Sequence, residues 1–250
     1  IEKISKQLGD GKLLSKLSRQ KIVYNFRQND LENGGQGAPL APIFHKLLVK
    51  QNKITLPVNI LNIGGISNVT SINSKNEIFS SDVGPGNCLI DEWIRFNSKN
   101  NYDYNGEIAK SGTTNSIILN QALDIFYNNP NQNRTFDVKD FDLSFVRGLS
   151  LADGANTLTE YTSEIISKKL SNNLTFLCGG GRKNKFLVKR IKEKTGFPIK
   201  LIDDLNIDGD FVESQAFAYL AIRSYLKLPI SFPETTGCKK PSTGGQIIKI

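Results

Sequence analysis

The order of apolar runs that begins at Leu56 constrains the fold of this sequence more than any other feature. The runs "LPVNILNIGG", "ISNVTSIN" and "NEIFSSD" follow one another with short turns between them, which predicts an antiparallel meander of three strands. A helix is then predicted from about Gly86 to Asn97, because apolar residues recur there at helical spacing. Trp93, within this helix, is expected to lie in the core.

After a polar, Asn-rich insert at about residues 98–150, helices and strands alternate regularly. The insert holds one predicted helix, Ile117 to Tyr127, and is otherwise typical of loops or an inserted subdomain. The elements predicted beyond it are a helix from Asp153 to Leu170, the strand "LTFLCGGG", a helix from Asn184 to Lys194, the strand "FPIKLID" and a helix from Asp210 to Tyr225. Helices between strands favour parallel pairing through crossovers, so the pattern predicts an α/β fold.

Charge and cysteine content narrow the function classes. The chain of 250 residues has a formal charge of +8, with its densest basic run in "GRKNKFLVKRIKEK". We interpret this run as a solvated helix face, and nucleic acid is not an expected partner, because no zinc-finger or RNA-recognition signature accompanies it. Cys88, Cys178 and Cys238 are far apart and outside metal-ligand spacing, which indicates reduced thiols in the cytoplasm and no metal site.

No apolar run approaches the ~20 residues that cross a bilayer, so no membrane association is expected. The first residues also lack the apolar core of a signal peptide. The sequence contains no Met, and we therefore expect it to be a piece of a longer protein.

Two glycine-rich turns are candidates for ligand contact. "NIGGISN" places Gly64 and Gly65 between two predicted strands, and "CGGGRKN" places Gly179 to Gly181 between a strand and a helix. A backbone without side chains can approach a phosphate or a flat base closely, and a helix N-terminus favours negative charge. Neither motif has the spacing of a P-loop or of a dinucleotide fingerprint. A tight turn and a helix entry remain the alternatives.

Asp82 opens the stretch "DVGPGNCLIDEW", in which an acid precedes a glycine-rich turn and a helix. Such a carboxylate is either a helix cap or a general base. A capping Asp normally adjoins its helix, whereas "VGPG" intervenes here. The glycines that flank Pro85 are expected to leave room for a ligand beside the carboxylate.

Two further polar residues have open roles. Glu213 lies early in the last predicted helix, where acids suit the helix dipole. Phe211, Ala218 and Leu220 indicate that this helix has buried faces, so Glu213 is either a structural acid or a residue that faces a cleft. His45 is the only histidine and is interpreted as a packing or surface residue, which argues against a Ser-His-Asp triad.

Several long motifs, taken in order, resemble those of anhydro-N-acetylmuramic acid kinases, a family in the actin, Hsp70 and sugar-kinase superfamily. They are "NFRQNDLENGGQGAPLAPIFH", "NIGGISNVT", "DVGPGNCLIDEW", "LCGGGRKNKFL", "VESQAFAYLAIR" and "LPISFPETTGC". The resemblance covers nearly all of the chain, from about Leu8 to Thr236. The resemblance implies a ribonuclease-H-like fold. Residues 56–250 would form one complete lobe of order β-β-β-α-β-α-β-α, and residues 1–55 would be the remainder of a first lobe.

The resemblance also implies a reaction. Such enzymes open the 1,6-anhydro ring of anhydro-N-acetylmuramic acid with water and phosphorylate O6 from ATP, with Mg²⁺, in peptidoglycan recycling. Asp82 would be the general base that activates the water. The implied sugar-binding residues are Arg27, Asp30, Gly84, Asn87 and Glu213, and the implied nucleotide-binding residues are Gly64, Gly65, Asn68, Gly179, Gly180, Gly181 and Asn184. The expected partners are the amino sugar and ATP, and a homodimer is left open.

The chain departs from the family pattern in two places. It has neither the opening Gly-Thr-Ser-x-Asp-Gly hairpin nor the later Gly-Gln-Thr-like segment, so we expect a truncated first lobe or a chain that does not phosphorylate as it stands. Where the family usually has Lys-Ser-Thr-Gly-Arg before an aromatic residue, this chain has "NPNQNRTF" and keeps Arg134 and Phe136. The alternatives are a non-catalytic nucleotide or amino-sugar binding remnant and, from charge alone, a nucleic-acid binder.

Overall fold

A computed structural model describes residues 4–129 and 135–248. Its helices are α1 (Gly11–Ser18), α2 (Gln28–Glu32), α3 (Pro42–Gln51), α4 (Cys88–Asn97), α5 (Glu107–Ser111), α6 (Ser116–Tyr127), α7 (Leu151–Lys169), α8 (Lys185–Thr195), α9 (Val212–Tyr225) and α10 (Pro233–Thr236). Its strands are β1 (Ile22–Tyr24), β2 (Val58–Ile63), β3 (Ile66–Ile72), β4 (Ile78–Pro85), β5 (Leu174–Cys178), β6 (Ile199–Leu201) and β7 (Gln246–Ile248). Short 3₁₀ helices cover Tyr104–Gly106, Val138–Asp140, Ser144–Val146, Gly180–Lys183 and Ile202–Leu205.

The order of strands in the larger sheet confirms the predicted α/β fold. The sheet has five strands in the order β4-β3-β2-β5-β6. Strand β5 pairs in parallel with β2 on one side and with β6 on the other. Strands β2, β3 and β4 are neighbours joined by short turns, and such connections require antiparallel pairing. The predicted meander and the predicted crossovers are therefore both present.

The chain divides into two compact units, and their boundaries differ from the predicted ones. The first unit contains the residues up to Leu56, residues 72–80 and the residues from Phe211 onward. The second contains residues 57–71 and 81–210. We predicted that everything after residue 55 forms one lobe, whereas α9 and the segment after it group with the first unit.

The first unit is held together by a small apolar core and a two-stranded sheet. Strands β1 and β7 pair antiparallel, with Ile22 opposite Ile248. Helix α9 packs against β1 and α3, and the rings of Phe26 and Phe217 meet edge to face with centroids 5.5 Å apart. The periodicity of α9 predicts a buried stripe but does not identify the surface that the stripe covers. This is why the predicted boundary missed the position of α9.

The second unit has a continuous core between the sheet and its helices. Helix α7 packs against α4, α5, α6 and α8. Trp93 is 3% exposed and donates a hydrogen bond of 2.9 Å to the carbonyl oxygen of Leu151, so its predicted core position is confirmed. The insert at 98–150 is not a separate subdomain, because four of its residues belong to this core: Ala109, Ala122, Leu123 and Val146.

The described segments contain no helix with both the length and the apolar character that a bilayer-crossing segment requires. Cys88, Cys178 and Cys238 are all buried and none of them forms a disulfide.

Candidate active site

The turn between β2 and β3 is tied to the start of α4 by its carbonyl oxygens. The backbone N–H of Gly86 donates to the oxygen of Gly65 at 2.8 Å, and that of Asn87 donates to the oxygen of Gly64 at 2.8 Å. A Cβ atom on Gly86 would lie 2.2 Å from the Gly64 oxygen. Glycine is therefore required at position 86, so that helix and turn can approach this closely.

Gly64 and Gly65 themselves are not required by the packing of the described residues. A Cβ on Gly65 would meet Val138 at 3.5 Å, and one on Gly64 would meet the backbone oxygen of Ile66 at 3.4 Å. Neither glycine has a positive φ. Because the fold alone accepts a side chain at these positions, the two glycines fit the predicted close approach of a ligand.

The turn after β5 requires two of its three glycines for internal reasons. Gly179 has φ 79° and ψ 173°, a conformation that is essentially restricted to glycine. A Cβ on Gly181 would lie 2.2 Å from Cγ2 of the buried Ile63. A Cβ on Gly180 would have only Asn87 within range, at 3.9 Å. Of the three, Gly180 is the one that leaves open space in front of it.

That open space belongs to a cavity of about 750 Å³ within the second unit. A volume of this size is typical of small-molecule sites. The cavity wall includes Gly180 and Asn184, which we predicted to bind nucleotide, and Asn87, which we predicted to bind sugar. The structure thus brings these three residues together, and Asn87 lies beside the predicted nucleotide residues.

Asn184 also caps a helix. Its side-chain oxygen accepts a hydrogen bond of 3.0 Å from the backbone N–H of Leu187, in the first turn of α8. The residue is 8% exposed. A Cβ on Gly106 would lie 2.3 Å from the same oxygen, so the loop before α5 is held against the cap.

Arg182 anchors the glycine turn, and sequence reasoning missed it. Its guanidinium forms a bidentate pair with Asp203 at 2.7 and 3.0 Å and a hydrogen bond of 2.6 Å with Asp210. It also donates to the carbonyl oxygen of Gly179 at 3.0 Å. The hydrogen bonds from Arg182 lower the pKa of Asp203. The signal available in the sequence was the cluster of acids in "DDLNIDGD", which follows β6.

Asp82 lies inside β4, although we predicted that the third strand ends at this residue. The strand continues to Pro85, which is tolerated because β4 is an edge strand of the sheet. The residue at the N-cap of α4 is Asn87, without a side-chain capping bond. The interpretation of Asp82 as the cap of this helix is therefore wrong.

The Asp82 carboxylate is half-buried and has one main-chain donor among the described residues. Its Oδ2 accepts a hydrogen bond of 2.9 Å from the backbone N–H of Phe136. Burial raises the pKa of Asp82, and the hydrogen bond from Phe136 opposes that rise. Phe136 comes from the segment in which the chain departs from the family pattern. Arg134, the other residue that this segment keeps from the family pattern, lies outside the described residues.

We expected the glycines around Pro85 to leave room for a ligand, and this expectation is wrong. Gly84 is buried, has φ 155°, and a Cβ there would lie 2.7 Å from a methyl group of Ile165 on α7. Gly86 closes on the Gly64 turn in the same way. Both glycines serve close packing of the chain, so a sugar contact at Gly84 stays a prediction without structural support. Asn68 is half-buried on β3, and its nucleotide contact also stays a prediction.

Arg27 and Asp30 shape a glycine loop in the first unit. Asp30 is 1% exposed, and its carboxylate accepts hydrogen bonds from the backbone N–H of Gly37 at 2.7 Å and from the hydroxyl of Thr236 at 2.6 Å. Arg27 donates to the carbonyl oxygen of Gly37 at 2.6 Å. In this structure Asp30 acts on the loop and is shielded from solvent, so its predicted sugar contact would be indirect.

Glu213 is exposed in the first turn of α9. We predicted that Phe211, Ala218 and Leu220 mark buried faces of this helix. The prediction holds for Leu220, which is buried, and is wrong for Phe211, which is 57% exposed, and for Ala218, which is exposed. His45 is 2% exposed in α3, and burial lowers its pKa to about 4. Its predicted packing role is confirmed.

The basic run on α8 is paired with acids on α7. Arg190 forms a bidentate pair with Glu160, and Lys194 bonds to Glu164 at 2.9 Å and to Glu160 at 3.1 Å. Glu160 is 4% exposed, so these contacts join the two helices. In residues 4–129 and 135–248, no group of three or more His, Cys, Asp or Glu side chains is arranged to hold a metal ion.

Comparison with known proteins identifies relatives across the whole chain. A family model described as "Anhydro-N-acetylmuramic acid kinase" matches residues 2–249. A protein of that name from Pelagibacter ubique is 55% identical, over 99% of this chain and 70% of its own length. Its counterparts from Zymomonas mobilis and Brucella canis are 36% and 37% identical, over 96% and 98% of this chain and 67% and 68% of their own lengths.

Among solved structures, the similarity is weak. The activator of the 2-hydroxyisocaproyl-CoA dehydratase from Clostridium difficile, with bound ADPNP, superposes with a TM-score of 0.46 at 12% identity, over 73% of this chain and 67% of its own.

Proposed function

This chain belongs to the anhydro-N-acetylmuramic acid kinase family, and from this premise we propose that it opens the anhydro ring with water and phosphorylates O6. That it is a kinase acting on a sugar with ATP follows from the family. The order of bond changes and the residues that carry them are the proposal. The product is N-acetylmuramic acid 6-phosphate.

The environment of Asp82 is the observation that carries this proposal. The carboxylate is half-buried, does not cap α4 and has Oδ2 oriented by the N–H of Phe136. A general base needs an oriented acceptor, and partial burial with a raised pKa makes a carboxylate a stronger base. No other member of the predicted site combines these properties within the described residues: Asp30 is enclosed and Glu213 is exposed.

In the proposed reaction, Asp82 takes a proton from water as the water oxygen bonds to C1 of the sugar. The bond between C1 and O6 breaks, and O6 takes the γ-phosphoryl group from ATP, so ADP leaves. The proton on Asp82 then returns to solvent. The sugar thereby gains the hydroxyl group of the water at C1 and the phosphoryl group at O6, and one proton is released.

The nucleotide would occupy the cavity beside Gly180, with its phosphates near the Gly64–Gly65 turn. The support is that both places leave room in front of glycine, which the described packing does not explain. A Mg²⁺ ion would be held mainly by phosphate oxygens and water, its usual mode with nucleotides, which fits the lack of a multi-residue metal site in the described ranges. Bound there, the ion would neutralise charge on the phosphates.

The sugar contacts of Arg27, Asp30 and Glu213, which the family resemblance implies, are part of the proposal. We place the enzyme in the cytoplasm, because ATP is its substrate and its three buried thiols carry no disulfide.

The variant Asp82→Asn tests the assignment of the base. Asparagine keeps an oxygen acceptor for the N–H of Phe136, so the fold and the affinity for ATP should be unchanged. We expect kcat to fall by about 10³-fold, as loss of a general base does. The measurement is ADP release with anhydro-N-acetylmuramic acid, together with direct titration of ATP. Ser81→Ala, at the exposed neighbouring position, is the control and should retain full activity.

Two results would overturn the proposal in different ways. An Asp82→Asn enzyme with most of its kcat would remove Asp82 from the chemistry. A wild-type chain that binds ATP but releases no ADP with the anhydro sugar would be a nucleotide-binding remnant.

A further inference from the structure

One carboxylate in the 750 Å³ cavity has no assigned role. The cavity wall contains three aspartates, Asp91, Asp103 and Asp203. Asp103 is 4% exposed, and its two oxygens accept from the backbone N–H groups of Ile108 and Ala109, each at 2.9 Å. Asp203 is paired with Arg182. Both carboxylates are thus occupied by the protein.

Asp91 differs from them. It is half-buried in the first turn of α4, and within the described parts of the chain its side chain has no hydrogen-bond partner. Burial raises its pKa to about 6, Arg95 opposes that rise, and the nearby Asp103 adds to it. A partly desolvated carboxylate gains from donors supplied by a ligand, because it can only accept hydrogen bonds when ionised.

The position of Asp91 along α4 indicates which part of a nucleotide it faces. Asn87 and Asp91 are four residues apart and therefore lie on one face of the helix, ~6 Å apart along its axis. Asn87 lies at the end where the Gly64 turn and Gly180 are. Phosphates at that end would leave Asp91 one helical turn beyond them, and a carboxylate there would repel phosphate but accept from hydroxyl groups.

We propose that Asp91 recognises the ribose of the nucleotide, with its carboxylate accepting hydrogen bonds from the 2′- and 3′-hydroxyl groups. This inference rests on the proposed use of the cavity for ATP. A carboxylate on ribose hydroxyls is an established way for α/β folds to hold nucleotides. Tyr102 and Tyr104, which also line the cavity and are 56% and 70% exposed, offer ring faces to the base.

The other donor on ATP is the N6 amino group of adenine, and the experiment separates the two. ATP, 2′-deoxy-ATP, 3′-deoxy-ATP and inosine triphosphate, which lacks the amino group, are titrated against wild type, Asp91→Ala and Asp91→Asn. Dissociation constants are measured directly, and KM and kcat are measured by ADP release. Ratios between nucleotides are used because they do not depend on the fraction of folded protein.

Wild type is expected to bind ATP about tenfold more tightly than either deoxynucleotide, the usual value of a hydrogen bond to a charged group. Asp91→Ala should bind all three within about twofold of one another, with KM for ATP raised about tenfold and kcat changed far less. Asp91→Asn keeps one acceptor oxygen and should be intermediate. Glu92→Gln, at the exposed adjacent position, is the matched control and should keep the wild-type ratios.

Two outcomes overturn the inference. If the Asp91 variants lose discrimination against inosine triphosphate but keep it against the deoxynucleotides, the carboxylate reads the base and not the ribose. If every ratio is unchanged in Asp91→Ala while ATP still binds and turns over, Asp91 has no part in recognition. Failure of the proposed function looks different, because then wild type itself neither binds nor consumes ATP.

Discussion

The turn after β2 and the turn after β5 follow neighbouring parallel strands, in which Asn62 is paired with Cys178. Both are rich in glycine, and from sequence both were candidates for phosphate or base contact. In the first turn a side chain on Gly64 or Gly65 would meet little of the described protein. In the second, Gly179 and Gly181 are enclosed by Asn62 and Ile63, which belong to the first turn's own strand.

The difference shows that packing explains the glycines of the second turn and not those of the first, for which we propose a ligand. Glycines in the second turn let the chain after β5 lie directly against β2. Among the described residues, the glycines in the first turn have no such internal cause. Substitutions should therefore separate the two turns. We expect those in the second turn to change the free energy of unfolding and those in the first turn to change catalysis.

Gly179→Ala should have the largest effect. The residue has φ 79° and ψ 173°, and a Cβ there would lie 2.3 Å from the side-chain oxygen of Asn62 and 2.7 Å from the backbone oxygen of Ile63. We expect the free energy of unfolding to fall by about 3 kcal/mol, from strain and overpacking together. Urea denaturation measures this. An unchanged midpoint would contradict the packing explanation.

Gly181→Ala should cost about 2 kcal/mol, mainly through overpacking against Ile63. Gly181 has no positive φ, so removal of the Ile63 Cγ2 methyl group, which makes the nearest contact, should relieve part of the clash. In a double-mutant cycle with Ile63→Ala, the second substitution should therefore cost less in the presence of the first than in wild type. Additive costs would show that the contact at 2.2 Å is not the cause.

Gly65→Ala should reverse the pattern. We expect the free energy of unfolding to stay within about 0.5 kcal/mol of wild type, or to rise, because alanine reduces the freedom of the unfolded chain. Turnover with ATP should nevertheless fall about tenfold, equivalent to about 1.4 kcal/mol, as the methyl group would occupy the space proposed for phosphate. Gly180→Ala provides the matched comparison in the other turn. Full activity in Gly65→Ala would remove the ligand explanation for the first turn.

The smallest effect concerns the ion pairs of Arg182 with Asp203 and Asp210, which support the second turn. Arg182 lowers the pKa of Asp203 below its ordinary value of 3.8. Because the folded-state pKa is depressed, this pair stabilises the fold above pH ~4 and loses its contribution as the pH falls below that value. Asp203 is 39% exposed, so solvent screening limits the contribution to about 1 kcal/mol or less.

Unfolding of wild type and Asp203→Asn at pH 7, 5 and 3 measures this contribution. Wild type should have the larger free energy of unfolding at pH 7 and pH 5, and the difference between the two proteins should become smaller at pH 3. Asp124→Asn, at an exposed position on α6, is the control substitution. A difference in free energy of unfolding between wild type and Asp203→Asn that grows in acid would contradict this explanation.

The amino-acid sequence by itself determined the elements and their order. Residues that recur every two or every three to four positions predicted the meander, the helices and the parallel crossovers, and the bounds of α6 and α8 agree to within a residue or two. These patterns are local, because periodicity states which face of an element is apolar. The motifs that point to the family are likewise strings of neighbouring residues.

Only the tertiary structure decided what each face meets. Sequence did not show that α9 packs on β1, that Arg182 joins the second turn to Asp203 and Asp210, or that Asp30 is enclosed while Asp91 faces a cavity. Each of these facts is a contact between residues far apart in the chain. A carboxylate can act as a base, stabilise a loop or bind a ligand, depending on the hydrogen-bond donors and the solvent around it. Folding brings these surroundings together, and the local sequence pattern does not predict them.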